Sequence, residues 1–359
     1  MAGKQKIAVV LFNLGGPDSL DAVQPFLENL FSDPCILRVP GLIRPWLARR
    51  IARKRTPQAQ EIYQHMGGGS PILPNTKAQA DALSALLADC GTVKVFVCMR
   101  YWHPRAAEVV RAVEAFVPDQ IVFLPLYPQY STTTSASSVA EFWAEVQALD
   151  GDLHRRWQDE MPVKTVCCYP TQPGFIAAQG EAIKAAYMDA RQFGKPRLLL
   201  SAHGLPEKIV RAGDPYQWQC EATAQALVKS LDILQLDWIN CYQSRVGPLK
   251  WIGPATEDEI LRAGRDKVPV VLAPIAFVSE HSETLVELDI EYRQLAEEKG
   301  VPYYVRVPTV SVMTDFIAGL ADLVREALGG ENGLQCPGGQ RLCPKGFKGC
   351  PAQERSKAV

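Results

Sequence analysis

The chain has 359 residues, 47% of them hydrophobic and 21% charged, and a net charge of −1. That is ample material for two globular domains, and the charge balance, with no basic stripe or zinc-finger spacing, excludes a general nucleic-acid binder. No run approaches the roughly 18 apolar residues of a membrane span, so a cytosolic or peripheral protein is expected. In chain order, 6–13 is an apolar run that predicts the first strand, left through the turn Leu14-Gly15-Gly16-Pro17-Asp18. The run is too short for a signal peptide and lacks a small-residue cleavage site. A helix is predicted over 21–31, with Val23, Phe26, Leu27, Leu30 and Phe31 apolar. The segment 40–46 is apolar and broken by prolines, and Arg49, Arg50, Arg53, Lys54 and Arg55 follow it. Apolar groups beside such a basic cluster suit either an anionic membrane surface or a core edge with a solvated face. Gly67-Gly68-Gly69-Ser70-Pro71 lacks the Lys-Ser/Thr of a phosphate-binding loop.

Helix, strand and helix follow over 77–89, 93–100 and 106–116, then a buried strand over 120–126 and a helix over 135–149. Beyond them come a strand at 163–169, a helix at 175–192, a strand at 196–202, a helix at 217–231, a strand at 238–243 and a helix at 258–263. A strand at 268–277, another within 300–307 and a helix at 312–328 complete the series. The alternation predicts an α/β class with parallel sheets. Asn13-Leu14-Gly15-Gly16-Pro17 has a counterpart in Ala202-His203-Gly204-Leu205-Pro206, and Phe123-Leu124-Pro125-Leu126-Tyr127 one in Leu272-Ala273-Pro274-Ile275-Ala276. Two similar Rossmann-like halves with four-stranded sheets and a cleft between their strand ends are therefore expected. The expected division is 5–165 with 308–330, then 166–307, then an extension over 331–359.

Chemistry concentrates in 268–292. The apolar run at its start predicts a strand buried on both faces, and Glu283, Glu287 and Glu291 follow at intervals of four. At helical spacing these stack on one face and repel one another. His281 stands at the mouth of this ladder, and His203 ends another predicted strand, where open α/β sheets bind ligands. Two imidazoles with a file of carboxylates suit a site handling protons, a divalent cation, or both.

Ten cysteines are present. Cys35, Cys90, Cys98, Cys167, Cys168, Cys220 and Cys241 read as buried thiols, whereas Cys336, Cys343 and Cys350 are evenly spaced among glycines and prolines that no regular helix tolerates. Such a segment needs a staple, and a reducing compartment disfavours disulfides, which leaves structural zinc or iron–sulfur ligation.

Ser201-Ala202-His203-Gly204-Leu205-Pro206 with Gly213-Asp214-Pro215-Tyr216 resembles the signature of the ferrochelatase family. So do Gln243-Ser244-Arg245-Val246-Gly247-Pro248 leading to Trp251-Ile252-Gly253-Pro254, the stretch 277–292, and Tyr127-Pro128-Gln129-Tyr130-Ser131. The matches run in order from about Leu11 to about Tyr292. The resemblance implies a chelatase-type fold and insertion of ferrous iron, the substrate, into protoporphyrin IX to give protohaem. It implies His203 as base or metal ligand, Glu283 beside or opposite it, His281 in support, and Glu287 and Glu291 as a conduit for metal or protons, often with a π-helical turn. Arg100, Tyr101, Tyr130, Trp251 and Phe277 would line the macrocycle pocket. An apolar lip around 26–46, with Arg55, would rest on the inner face of a membrane, making the protein cytoplasmic and peripheral; a homodimer is compatible with this. Some members hold a [2Fe-2S] cluster on three tail cysteines and one body cysteine, here Cys336, Cys343 and Cys350 with Cys168 or Cys167. The tail spacing departs from the animal pattern, and Ala178 stands where the animal body cysteine would align. Rival readings are a chelatase for coproporphyrin or for cobalt, and a non-catalytic haem or iron carrier.

Overall fold

The computed structural model describes residues 4–37, 39–245 and 249–352; Val246, Gly247 and Pro248 of the quoted motif lie outside these. The chain divides into two compact units, Met1–Cys168 with Leu320–Gln340 and Tyr169–Gly319 with Arg341–Val359.

The first unit begins with β1 (Lys6–Asn13), α1 (Val23–Ser32), α2 (Arg44–Gln64) and α3 (Ile72–Leu86). It continues through β2 (Thr92–Met99), α4 (Ala106–Phe116), β3 (Gln120–Pro125), α5 (Ser135–Leu149), α6 (Gly151–Arg155), a π-turn at Arg156–Glu160 and β4 (Val163–Val166). β1 is central, parallel to β2 on one side and β3 on the other, and all but its first residue is buried. This is why its sequence is continuously apolar rather than alternating. Phe12 meets Phe123 and Phe142 edge-on at 5.3 and 5.7 Å, anchoring β1 to β3 and α5; such pairs add about 0.5–1.5 kcal/mol each beyond area burial.

Helix α2 is the main element that the sequence pattern hid. Its buried face is the narrow stripe Ala48, Ala52, Thr56 and Tyr63; Ala52 and Tyr63 pack with Val23, Phe26 and Leu27 of α1. Pro57 lies inside it, and Pro45 sits in its first turn, where a missing N–H costs nothing. The basic run on the opposite face masked the apolar period.

The second unit comprises α7 (Pro173–Ala190), β5 (Arg197–His203), α8 (Glu207–Arg211), α9 (Tyr216–Leu231), β6 (Asp237–Gln243), α10 (Thr256–Asp266) and β7 (Val270–Pro274). A nine-residue π-helix, Glu283–Glu291, runs into α11 (Tyr292–Glu298), and β8 (Tyr304–Arg306) follows. Its sheet has the order β6-β5-β7-β8, parallel throughout. The first unit's leading strands run β2-β1-β3-β4, the same order, so the two echoing motifs sit at equivalent strand ends. Helix α12 (Thr314–Gly329) then leads to β9 (Gly333–Gln335), which pairs parallel with β4. The first sheet thus has five strands, one more than expected: three residues at the start of the tail cover the open edge of β4.

Candidate active site

Within the second unit, the carboxyl ends of β5 and β6 lie side by side, His203 paired in register with Gln243. The chain leaves β5 through Gly204, where a Cβ would sit 2.9 Å from the Gln243 carbonyl oxygen and 3.3 Å from the Trp251 ring. Only glycine permits this approach, and it lets the Ile252 N–H donate to the Leu205 carbonyl at 3.0 Å and the Glu207 N–H to that of Lys250 at 2.9 Å. Trp251 is thereby held half-buried against the His203 loop.

Glu283 opens the π-helix. Its Oε2 lies 2.8 Å from His203 Nδ1, and its Oε1 lies 3.9 Å from His281 Nε2. The hydroxyl of Ser244, the residue after β6, lies 3.0 Å from Glu283 Oε2 and 2.6 Å from Glu287 Oε2, with one proton to donate to either, and the Ser244 N–H donates to Glu287 Oε1 at 2.9 Å. The Tyr292 hydroxyl reaches the same Oε1 at 3.2 Å. His281 is buried, with Phe277 against it at 4.4 Å between ring centroids. The structure thus brings His203, His281, Glu283 and Glu287 together in one unit. Glu291 is exposed, and the described partners of Glu287 are Ser244 and Tyr292.

The electrostatics separate these groups. Burial pushes the Glu283 carboxyl up, but the charge and hydrogen bond of His203, aided by His281 and Ser244, outweigh it and hold it at about 2. Glu287 goes the other way: burial and the Glu283 charge raise it to about 7 against the hydrogen bonds from Ser244. Burial works to lower His203, yet the Glu283 charge and hydrogen bond win and raise it. For His281 burial prevails and its basicity falls. One histidine is thus tuned to take a proton and its neighbour to stay neutral.

In the first unit, Arg100 and Tyr101 follow β2. Arg100 pairs with Asp33 at 2.7 Å and Glu141 at 2.8 Å and lies over the Tyr101 ring, while the buried Tyr101 hydroxyl donates to Asp33 at 2.7 Å. Their polar groups therefore tie the end of α1 to the sheet. Tyr130 is buried in the loop after β3. Arg55 is exposed on α2 and lies 5.4 Å over Phe31. Leu42, Ile43 and Trp46 are 98%, 50% and 64% exposed around the start of α2, an apolar edge beside the basic run.

Of the cysteines, Cys167 and Cys168 are buried just after β4, and the Cys167 N–H donates to the Gln335 carbonyl at 2.8 Å. Cys336 directly follows Gln335, the last paired residue of β9. In the second unit, buried Cys343 accepts a hydrogen bond from Gln219 Nε2 at 3.1 Å, and Cys350 is also buried. The Gly349 N–H donates to the Gly213 carbonyl at 2.9 Å, at a backbone contact too tight for any Cβ on Gly349.

Ser244 and Tyr292 are the site residues that sequence reasoning missed. Ser244 stands inside a quoted motif, but serine at a strand end is too common a sight to mark a role.

Comparison with known proteins concerns the chain as a whole. The ferrochelatase family pattern matches residues 6–328. The chain is 50% identical over 357 residues to a ferrochelatase of Caulobacter vibrioides (strain NA1000 / CB15N), covering 99% of each. It is 47% identical over 352 residues to one of Pelagibacter ubique, covering 96% of this chain and 98% of that one. Among solved structures, SirB from Bacillus subtilis with Fe3+ shares the fold at a TM-score of 0.51 and 11% identity, over 91% of this chain and 99% of that one. With half its residues shared across nearly its full length, this chain belongs to the ferrochelatase family.

Proposed function

We propose that this enzyme inserts ferrous iron into protoporphyrin IX to give protohaem, with the His203–Glu283 pair receiving the pyrrole protons. The observation that carries the proposal is that pair: a hydrogen-bonded base and carboxylate at a strand end, with His203 39% exposed in its side chain. Metalation replaces two N–H protons by one dication, so charge balances only if the site removes both. Glu283 occupies Nδ1 of His203, which leaves Nε2 to accept a proton, and the adjacent carboxylate stabilises the imidazolium that results. His281 supports Glu283 from its buried position. Glu287, and at the surface Glu291, form the outer part of a path for iron inward or protons outward. Trp251 and Phe277, both half-buried, offer apolar faces for a flat macrocycle. Arg100, Tyr101, Tyr130 and Arg55, all in the first unit, are the further residues proposed for porphyrin binding.

The exposed Leu42, Ile43 and Trp46 beside Arg49, Arg50 and Arg53 suit a peripheral seat on the cytoplasmic face of an anionic membrane. We also propose a [2Fe-2S] cluster on Cys336, Cys343 and Cys350 with Cys168 or Cys167. Among the described residues no three of these side chains are gathered into a metal-holding group; what supports the reading is the supply of soft thiols, the Cys167 N–H on the Gln335 carbonyl next to Cys336, and the Gln219 amide directed at the Cys343 sulfur. Such a group supplies iron–thiolate bonds that fix a segment too rich in glycine and proline to build a core.

Anaerobic mixing of the protein with protoporphyrin IX and ferrous iron should convert the metal-free absorption bands to those of protohaem over many turnovers. Stoichiometric binding without conversion would reject the proposal, and faster conversion of coproporphyrin would reassign the substrate.

A further inference from the structure

The nine-residue π-helix Glu283–Glu291 is longer than the single turn in which i→i+5 bonding usually occurs. A costly backbone of that kind persists only where its surroundings over-determine it, and here those surroundings include β8. Tyr304 and Arg306 stand two residues apart in β8 and so project from one face of it. The buried Tyr304 hydroxyl donates to the Leu288 carbonyl at 2.5 Å, inside the π-helix. Arg306, 9% exposed in its side chain, reaches two carboxylates. Its Nη1 donates to Glu280 Oε1 at 2.9 Å and its Nη2 to Asp289 Oδ2 at 3.3 Å. Glu280 precedes the π-helix and Asp289 lies near its end. The Thr309 N–H also donates to Glu280 Oε1, at 2.9 Å, and Arg293 joins Asp289 Oδ1 at 2.6 Å to the Tyr304 carbonyl at 2.9 Å.

One guanidinium thus grips the chain on both sides of His281, Glu283 and Glu287. Its planar fork suits this task, because it donates in two directions at fixed geometry. The described partners of Arg306 are Glu280, Asp289 and the Val307 carbonyl, so its part in turnover is exerted through the helix. Winding back to an α-helix would change the rotation and rise of every residue from Glu283 to Glu291. The 2.8 Å approach of Glu283 to His203 depends on that winding.

We propose that Arg306, assisted by the Tyr304 hydroxyl, is a positioning residue that keeps the Glu283–Glu291 segment π-helical and so holds Glu283 against His203 for iron insertion. The inference rests on the His203–Glu283 reading given above.

Arg306→Gln removes the charge and the fork, and Tyr304→Phe removes one hydroxyl while leaving the buried ring. Turnover of ferrous iron and protoporphyrin IX is measured well below the Tm of each variant. The expected result in each is an unchanged half-saturating porphyrin concentration with kcat lower by about ten- to a hundredfold, the upper figure being the cost of an ångström's misplacement at a reacting centre. A role in stability alone would lower Tm and leave kcat at that temperature untouched. In a Glu283→Gln background Arg306→Gln should cost little further turnover, because it acts through that carboxylate. Wild-type kcat in Arg306→Gln, or an equal factor lost in both backgrounds, overturns the proposal. If Arg306→Gln does not fold, Tyr304→Phe decides by the same criteria in the same two backgrounds. If Glu283→Gln is nearly inactive while both β8 variants are normal, the clamp alone falls; if Glu283→Gln stays fully active, the reading of the whole site falls with it.

Discussion

His203 and His281 share a side chain and a neighbour yet are driven to opposite proton affinities. His203 holds Glu283 at 2.8 Å and keeps 39% of its side chain exposed, whereas His281 is 6% exposed and stands 3.9 Å from the same carboxylate. Distance to the charge decides which effect wins over burial. In the reading proposed here the pair divides the work: His203 would take protons, and His281 would fill space and support Glu283 while neutral. We expect His203→Ala and Glu283→Gln each to lower kcat by about 10²–10⁴-fold, the usual cost of losing a general base. Porphyrin affinity should barely move, because neither residue offers much apolar area. Steady-state rates with fluorescence titration of porphyrin separate the two quantities, and near-normal turnover in either variant would refute its role.

At the scale of elements, the π-helix is the device that gathers the carboxylates. Its i→i+5 bonding, closed by the Tyr292 N–H on the Glu287 carbonyl, is a costly arrangement found mostly at functional sites. It carries Glu283 and Glu287 on the side facing Ser244. The sequence showed the four-residue spacing but could not show which glutamates would be buried, since that depends on β6 ending beside them. A consequence concerns pH. Glu287 titrates at about 7 in the folded protein against 4.5 ordinarily. Between those values the native state holds a proton that the unfolded chain has released, so stability falls as pH rises through that window. Glu287→Gln removes this loss. Its Tm relative to the parent should rise between pH 5 and pH 8, by on the order of 1–3 kcal/mol in stability. A pH-independent difference between the two would show that Glu287 ionises normally. Helix α2 illustrates the opposite limit of legibility: its packing stripe is mostly alanine and threonine, too faint to read beneath six basic residues and Pro57.

For the whole molecule, the tail is the segment that bears on the proposed cluster. Gly349 against Gly213, Gln219 on Cys343, Trp218 beside Phe347 and β9 on β4 each hold part of it. We expect protein purified anaerobically to be coloured before porphyrin is added. Cys336→Ser, Cys343→Ser and Cys350→Ser, and one of Cys167→Ser and Cys168→Ser, should each bleach it. Iron and acid-labile sulfide analysis checks this directly: neither element would reject the cluster, and one equivalent of zinc would replace it with a structural zinc site.

The sequence by itself determined the α/β class, most strand and helix positions, the family, and the identity of the residues capable of the chemistry. These follow from local properties: apolar period, turn residues, and motifs whose spacing survives without coordinates. What only the tertiary structure decided is which of those residues act together and in what protonation state. That His203 meets Glu283 depends on pairings between strands far apart in the chain, as does the place of Ser244 between two carboxylates. The same pairings fix how deeply each group is buried, and burial set against the nearest charge is what raises His203 and lowers His281.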